Sequence, residues 1–348
     1  MSYKRSTTQD IADECGLSRN TVSKVFNKRD SVPQATRDLV LRKAVEMGYL
    51  VPDDLVKSPM PSAVPSGGNI ALLTSKMPVD YHFATFFFPS FTDQISRSGY
   101  TLKMFEISAE EEARGALPSH LNIEETAAII CIELFDTAYM NMVCGCGLPV
   151  VSIDSPAKAS FSPMKCDYVS MESIAGTATI VEHMLSKGAR TIGFVGDREH
   201  CGSFYERWMS YTSTLAYAGI ALNRDVCILE PDDRPYGDTD WLISRLQKMP
   251  FIPDAFVAAN DFLALHLITA LKKMGLTVPG DVMVSGFDGI PQSEFIEPSL
   301  TTVKIPSVEI GRTAATVLLR RISDPVQPFT WTRVQTTPIL RGSTEGHK

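Results

Sequence analysis

No apolar run in this 348-residue chain approaches the roughly 20 residues that a membrane-spanning helix needs. The polar start MSYKRSTTQD lacks the apolar stretch of a secretory signal. These absences exclude membrane-spanning and secreted classes and leave a cytoplasmic protein as the expectation. Cysteine is too sparse for a disulfide framework: seven residues, of which only Cys144-Gly-Cys146 form a close pair, with no second pair at zinc-ligand spacing. Reduced, mostly buried thiols are expected. The six histidines are scattered without a His-x-x-x-His set, so neither a metal nor a cofactor is expected. There is also no nucleophile elbow, phosphate loop or dinucleotide glycine fingerprint, which argues against an enzyme.

What is present is an uneven charge. Residues 1–50 carry nine Lys/Arg and six Asp/Glu, whereas the whole chain has a net charge of −7. A small basic head on an acidic body suggests that the head alone meets a polyanion. Residues 7–47 read as three short helices. Thr7 stands three residues before Asp10 as in a capping box, and Gly16 can end the first helix. Ser18 can cap a second helix from Arg19 to Phe26, with Val22, Val25 and Phe26 buried. Pro33 suits the start of a third, with Leu39, Val40, Ala44 and Met47 inward. Helix, glycine turn, helix is the geometry that lays a second helix in a DNA major groove. Arg19, Asn20, Thr21, Ser23, Lys24 and Asn27 are left to face outward, and Arg and Asn side chains suit guanine and adenine edges. A three-helix protein-interaction module fits the same pattern, and composition does not separate the two.

The motifs Asp10-Ile11-Ala12, Gly16-Leu17-Ser18, Thr21-Val22-Ser23-Lys24-Val25, Val32-Pro33, Thr36-Arg37 and Gly48-Tyr49-x-x-Pro52 resemble, without a gap, the DNA-binding head of the LacI/GalR family of bacterial transcriptional regulators. The resemblance implies base reading by Arg19, Asn20 and Lys24. It implies phosphate contacts at Thr7, Ser18, Thr21, Asn27 and Thr36. Residues 52–68, with four prolines and two glycines, read as a linker. Family members carry here a short basic helix that wedges a leucine into the minor groove. This chain has Asp53-Asp54-Leu55-Val56-Lys57-Ser58-Pro59, which sets two carboxylates against phosphates and allows barely one and a half turns before Pro59. The usual hinge helix is not expected, and the operator should bend less than the family norm. A full minor-groove kink in a gel-bending assay would refute this.

From residue 69, short apolar runs alternate with amphipathic stretches. The runs are 69–74, 102–107, 127–132, 149–154, 191–196, 226–230, 255–260 and 282–288, and the helical stretches include 172–187, 204–218, 261–274 and 307–322. Such alternation predicts parallel α/β sheets, here in two Rossmann-like lobes behind an all-α head. In open parallel sheets, ligands bind beyond the strands' carboxyl ends. Asp154, Asp197, Asn260 and Asp288 stand there, although Asp154 and Asp261 also sit where helix caps are expected. Tyr236 and Trp208 are candidates to stack on a ring, whereas Phe86–Phe88 and Phe91 read as core.

PVVSID, ARTIGFVGD, DAFVAANDFLAL and LKKMGLTVPGDVMVSGFDGIP resemble landmarks of the same family's effector core, which is of periplasmic-binding-protein type. The implied division is a head over 1–51, a linker over 52–68 and a core over 69–343. The core splits into one lobe of about 69–168 plus 299–325 and another of about 169–298 plus 326–343. The implied effector contacts are Phe83, Asp154, Arg207, Asn260 and Asp288, with ring-stacking residues near Tyr81, His82 and Phe83. Two departures stand out: Ser210 where a glycine follows the arginine, and Gly289 where a second aspartate follows Asp288. The function implied is a repressor that binds an inverted-repeat DNA operator as a homodimer and is switched by a small effector, a sugar or sugar derivative. The alternatives are a purine- or nucleoside-responsive regulator or a cytoplasmic sugar-binding protein. The tail after Leu340 has no leucine heptad, so a dimer is expected rather than a tetramer.

Overall fold

A computed structural model describes residues 7–26, 32–33, 36–37, 39–40, 43–44, 67–76 and 83–346. The chain divides into two compact units, one up to residue 65 and one from residue 66 onward. In the first, α1 (Thr8–Cys15) starts with the expected capping box between Thr7 and Asp10 and closes at Gly16. The α2 helix (Arg19–Phe26) is capped by Ser18, whose hydroxyl accepts the Thr21 N–H at 3.1 Å. Ile11, Ala12, Val22, Val25, Val40 and Ala44 form a dry core that orders these short helices. Residues 36, 37, 39, 40, 43 and 44 are helical. Leu39, expected inward, is 39% exposed. Asn27, Met47 and the linker from 52 to 66 lie outside the described residues.

The second unit begins with β1 (Gly68–Thr74), α3 (Phe83–Arg97), β2 (Tyr100–Glu106), α4 (Ala109–Arg114), β3 (Thr126–Ile132), α5 (Thr137–Cys144), β4 (Val150–Ile153) and β5 (Asp167–Met171). It continues with α6 (Ile174–Ser186), β6 (Ile192–Val195), α7 (Gly202–Tyr217), α8 (Thr239–Leu246), β7 (Ala255–Ala258), α9 (Asp261–Lys273), β8 (Met283–Ser285) and α10 (Gln292–Phe295). It ends with β9 (Thr302–Lys304), α11 (Ser307–Ser323), β10 (Trp331–Val334) and β11 (Thr337–Ile339).

A six-stranded sheet in the order β10-β5-β4-β3-β1-β2 is parallel throughout. A three-stranded parallel sheet, β6-β7-β8, forms the second lobe. Strands such as IALL and AAIICI are apolar on both faces because helices cover both, as a parallel sheet requires. The aromatic face of α3, with Phe87 and Phe91 stacked at 5.2 Å, packs on α11. Phe86, expected in the core, is 48% exposed.

Two expectations need correction. The run 226–230 contributes an isolated bridge, Val195 with Ile228, rather than a strand. The lobe crossings also fall elsewhere: β10 joins the first sheet through β5, whereas β9 pairs with β11 and bridges to Ser285 and Asp288 of the second lobe.

Candidate functional site

In the first unit, Thr7, Ser18, Arg19 and Asn20 are exposed, and Thr21, Lys24 and Thr36 are half-buried. Val22 and Val25 turn inward, which leaves Arg19 and Asn20 at the amino end of α2 free of the core. That is the end from which a recognition helix reaches base edges. Ser18 and Thr21 share a hydroxyl–hydroxyl hydrogen bond of 2.8 Å, which leaves one hydroxyl proton of the pair to donate outward.

Among the described residues of the second unit, three that are not glycine have left-handed backbones: Glu133 (φ 55°), Asp154 (φ 61°) and Asp288 (φ 117°). All three are acidic, and they follow β3, β4 and β8 at the carboxyl ends. Strained backbone of this kind concentrates at ligand sites. Between the lobes lies a cavity of about 420 Å³ lined by Lys76, Glu133, Phe135, His200, Asp232, Tyr236, Asn260 and Phe262, among others. It sits beyond the ends of β1, β3, β6 and β7, where the topology of parallel sheets places ligands. A larger groove of about 520 Å³ between α6 and α7 contains no strand-end residue, so it is the weaker candidate.

Of the five expected effector residues, only Asn260 lines that cavity, whereas Arg207 and Asp288 stand together and Asp288 lines a separate groove with Gly289 and Lys304. Arg207 is buried on α7. It donates from Nη1 to the Ala259 carbonyl at 2.5 Å, stands 3.8 Å from Asp288 and stacks 3.6 Å above the Phe287 ring. Its Nε is buried without a hydrogen-bond partner among the described residues. Asn260 caps α9 by accepting the Leu263 N–H at 3.0 Å, so the cap is Asn260 and not Asp261. Asp261 is fully buried beneath the Asp288 turn. Burial, and then the Asp288 charge, push its carboxyl up to about 8. Asp154 does act as a cap, but on a distant helix: its carboxylate accepts the Ser203 N–H of α7 at 3.1 Å. The fifth residue, Phe83, begins α3, and its side chain, like Tyr81 and His82, lies outside the described residues.

The Asp154 contact also ties the lobes together. Gly202 donates to the Ser155 carbonyl at 2.6 Å, and a side chain at 202 would collide with the Ser155 hydroxyl. One turn on, Glu206 of α7 pairs with Arg333 of β10 at 2.5 Å. The two departures have local explanations. Ser210 donates to the Ile174 carbonyl at 2.6 Å, so it packs α7 on α6. Gly289 has φ 69°, and a Cβ there would lie 2.7 Å from Lys304 Cα, which an aspartate could not tolerate.

Of the two aromatic candidates, Tyr236 lines the cavity, although its hydroxyl is committed to the Glu230 carbonyl at 2.8 Å. Trp208 instead packs in the core against Phe194 and Tyr211. Sequence reasoning missed Lys76, Glu133, Phe135, His200 and Asp232. Glu133 directly follows an apolar run and Lys76 stands two residues after one, so both could have been found by the strand-end rule. His200 and Asp232 pair at 3.1 Å. Burial opposes His200 protonation, but Asp232, Asp154 and Glu133 outweigh it and raise its pKa. The hydrogen bond from His200 holds Asp232 below the usual carboxylate range. Asp197 accepts the Asp232 N–H at 3.1 Å and so positions that loop.

Glu206 yields a pH prediction. Burial, joined by the Asp154 and Glu172 charges, outweighs Arg333 and pushes its pKa up to about 7. A carboxyl whose folded pKa is raised holds its proton more tightly when folded. Its contribution is full below the unfolded pKa of about 4.3 and is lost as pH rises through 7. Between pH 5.5 and 8 the loss should be about 2 kcal/mol. Urea unfolding of Glu206→Gln should show a decline over that interval smaller by that amount than in the unaltered protein. An unchanged decline would contradict the assignment.

Comparison with known proteins gives a consistent result. Residues 7–52 match the model of bacterial regulatory proteins of the lacI family, and residues 181–344 match a periplasmic binding protein-like domain. A curated relative, the HTH-type transcriptional repressor PurR of Haemophilus influenzae (strain PittEE), is 26% identical over 343 residues, covering 96% of this chain and 97% of the relative. A complex of the transcriptional regulator CelR with cellobiose aligns at TM-score 0.66 and 24% identity, over 97% of this chain and all of that one. The Lac repressor dimer bound to operator and the anti-inducer ONPF aligns at TM-score 0.67 and 22% identity, over 98% and 99%. No helix among the described residues is long and apolar enough to cross a membrane.

Proposed function

As this chain belongs to the LacI/GalR family of bacterial transcriptional regulators, DNA-binding proteins with a periplasmic-binding-protein-like effector core rather than enzymes, we propose that it is a cytoplasmic homodimeric repressor whose effector is a sugar or sugar derivative. Its operator is an inverted repeat, read by Arg19, Asn20 and Lys24. Thr7, Ser18, Thr21, Asn27 and Thr36 hold phosphates. The head spans 1–51, the linker 52–68 and the core 69–343.

The observation that carries the effector reading is the cavity beyond the strand ends, which Lys76, Glu133, His200, Asp232 and Asn260 line, with Asp154 and Asp288 strained at the ends of neighbouring strands. Carboxylates and the Asn260 amide suit a ligand rich in hydroxyls, because each can make paired hydrogen bonds. Arg207, whose buried Nε has no partner among the described residues, supplies a donor beside Asp288, and Phe83 is the fifth effector contact. A purine or nucleoside is the second reading, favoured by the rings of Phe135, Phe204 and Phe262 along the cavity, on which a base could stack. Coupling between effector and operator, typically 1–3 kcal/mol in allosteric proteins, would come from a change in lobe angle.

The test is selection of duplexes from a random DNA pool at two salt concentrations, repeated with panels of sugars and nucleosides. Enrichment of an inverted repeat, weakened or strengthened by a sugar, is expected. Salt-sensitive binding with no enriched sequence under any condition would overturn the operator reading. A response to nucleosides alone would replace the sugar.

A further inference from the structure

The groove that Asp288 shares with Gly289 and Lys304 lies apart from the cavity assigned to the effector, and no residue lines both. It encloses about 430 Å³. Its walls come from three places: Phe86 on α3, the turn after β8, and residues 304–309, where β9 runs into α11. Phe86, Ile290, Pro291 and Ile305 make one side apolar. The acids on the other side are already matched. Asp288 stands 3.8 Å from Arg207, Glu294 2.7 Å from Arg341 and Glu309 2.5 Å from Arg312. Lys304 is not: it is exposed, and its ammonium has no partner among the described residues.

The remaining donors belong to α11. No side chain caps this 17-residue helix, so the Val308 and Glu309 N–H groups of its first turn, both in the groove wall, have no acceptor among the described residues. A helix end of this kind carries partial positive charge and suits an anion. Ser307, the first residue of α11, points to a ligand independently. It is only 9% exposed and lines the groove, yet its hydroxyl has no hydrogen-bond partner among the described residues. A hydroxyl so far withdrawn from water is costly unless a partner completes it.

We propose that this groove binds a small organic anion with an apolar body. The anionic oxygens, of a carboxylate or a phosphate ester, accept from Lys304, the Ser307 hydroxyl and the first N–H groups of α11, while the body lies on Phe86, Ile290 and Ile305. Acetate or inorganic phosphate leaves the apolar wall bare, and a neutral analogue leaves the ammonium unpaired.

Isothermal titration calorimetry of the full-length protein with phenylacetate and with phenyl phosphate tests this. A dissociation constant on the order of 1 mM is expected for ligands of this size, and the tighter of the two identifies the head group. Acetate, inorganic phosphate and phenylacetamide should each bind at least about tenfold more weakly. Lys304→Gln should weaken phenylacetate by about tenfold and Ser307→Ala by about threefold. Lys304 is exposed and unpaired, so its variant should keep the fold, which circular dichroism checks. Lys76→Gln, in the effector cavity, should leave the titration unchanged. No heat from either aryl anion, equal binding of phenylacetamide, or a loss in Lys76→Gln with none in Lys304→Gln would overturn the proposal.

Discussion

Replacing Arg321 by methionine should cost about 3–5 kcal/mol of folding stability, the usual result of stranding a buried charge. Arg321 is 2% exposed and Asp167 is fully buried. The guanidinium donates to both carboxylate oxygens, at 2.7 and 3.1 Å, and to the carbonyls of Pro325, Gln327 and Pro328. Asp167 also accepts the Thr330 N–H and hydroxyl, each at 2.8 Å. One ion pair thus folds the chain after α11 back onto the sheet so that β10 can pair with β5. Lysine should not restore stability, since a point charge cannot serve five acceptors at once. Burial opposes ionisation of Asp167, but Arg321 and Thr330 outweigh it and hold the carboxyl below its usual range. A depressed carboxylate stabilises the fold above its unfolded pKa of about 3.9 and loses that contribution as pH falls through the folded value. The Arg321→Met variant should lack this acid-side decline. Urea unfolding at pH 7 measures the cost, and a loss below 1 kcal/mol would mean that the carboxylate is solvated.

The second large effect concerns DNA. Arg19→Ala and Asn20→Ala should each remove about 1–3 kcal/mol of discrimination at the base that the residue reads. The double variant should approach non-specific affinity for the selected operator. Both residues are exposed, and the Val22 and Val25 packing lies on the opposite face, so circular dichroism should not change. Binding at low salt should persist, because phosphate contacts carry no sequence information. Fluorescence anisotropy against the operator and a scrambled duplex separates the two terms. Retained discrimination in the double variant would move base reading away from the amino end of α2.

Much of this was legible because local chemistry decided it. The Thr7–Asp10 box, the Ser18 cap and the apolar spacing of α1 and α2 need only neighbours in sequence. Strands β1, β3, β6 and β7 announced themselves as apolar runs, within two residues of their true bounds. The short strands β5, β9, β10 and β11, with sequences such as DYVSM, TVK and WTRV, show no such run, since their partners rather than their composition make them strands. For the same reason the lobe crossings were misplaced. The cavity was partly legible: Asn260 ends an apolar run and lines it, but His200 meets Asp232 only because the chain after 226 returns beside β6. Leu39 and Phe86 show the limit of periodicity, which tells which side chains share a face but not whether anything covers it.

The seat of α7 on Asp154 has a consequence for affinity. The carboxylate that a sugar hydroxyl would seek is already held by Ser203 and Ser155 N–H groups, and the Arg207 fork is partly spent on Ala259. The protein is therefore its own competitor. A ligand that takes over the atoms already bonded within the protein is bound only by the fraction of molecules in which those bonds have opened, and its apparent dissociation constant is larger by the reciprocal of that fraction. Any change that loosens the seat should raise effector sensitivity without touching a ligand contact, and one that tightens it should leave the regulator deaf.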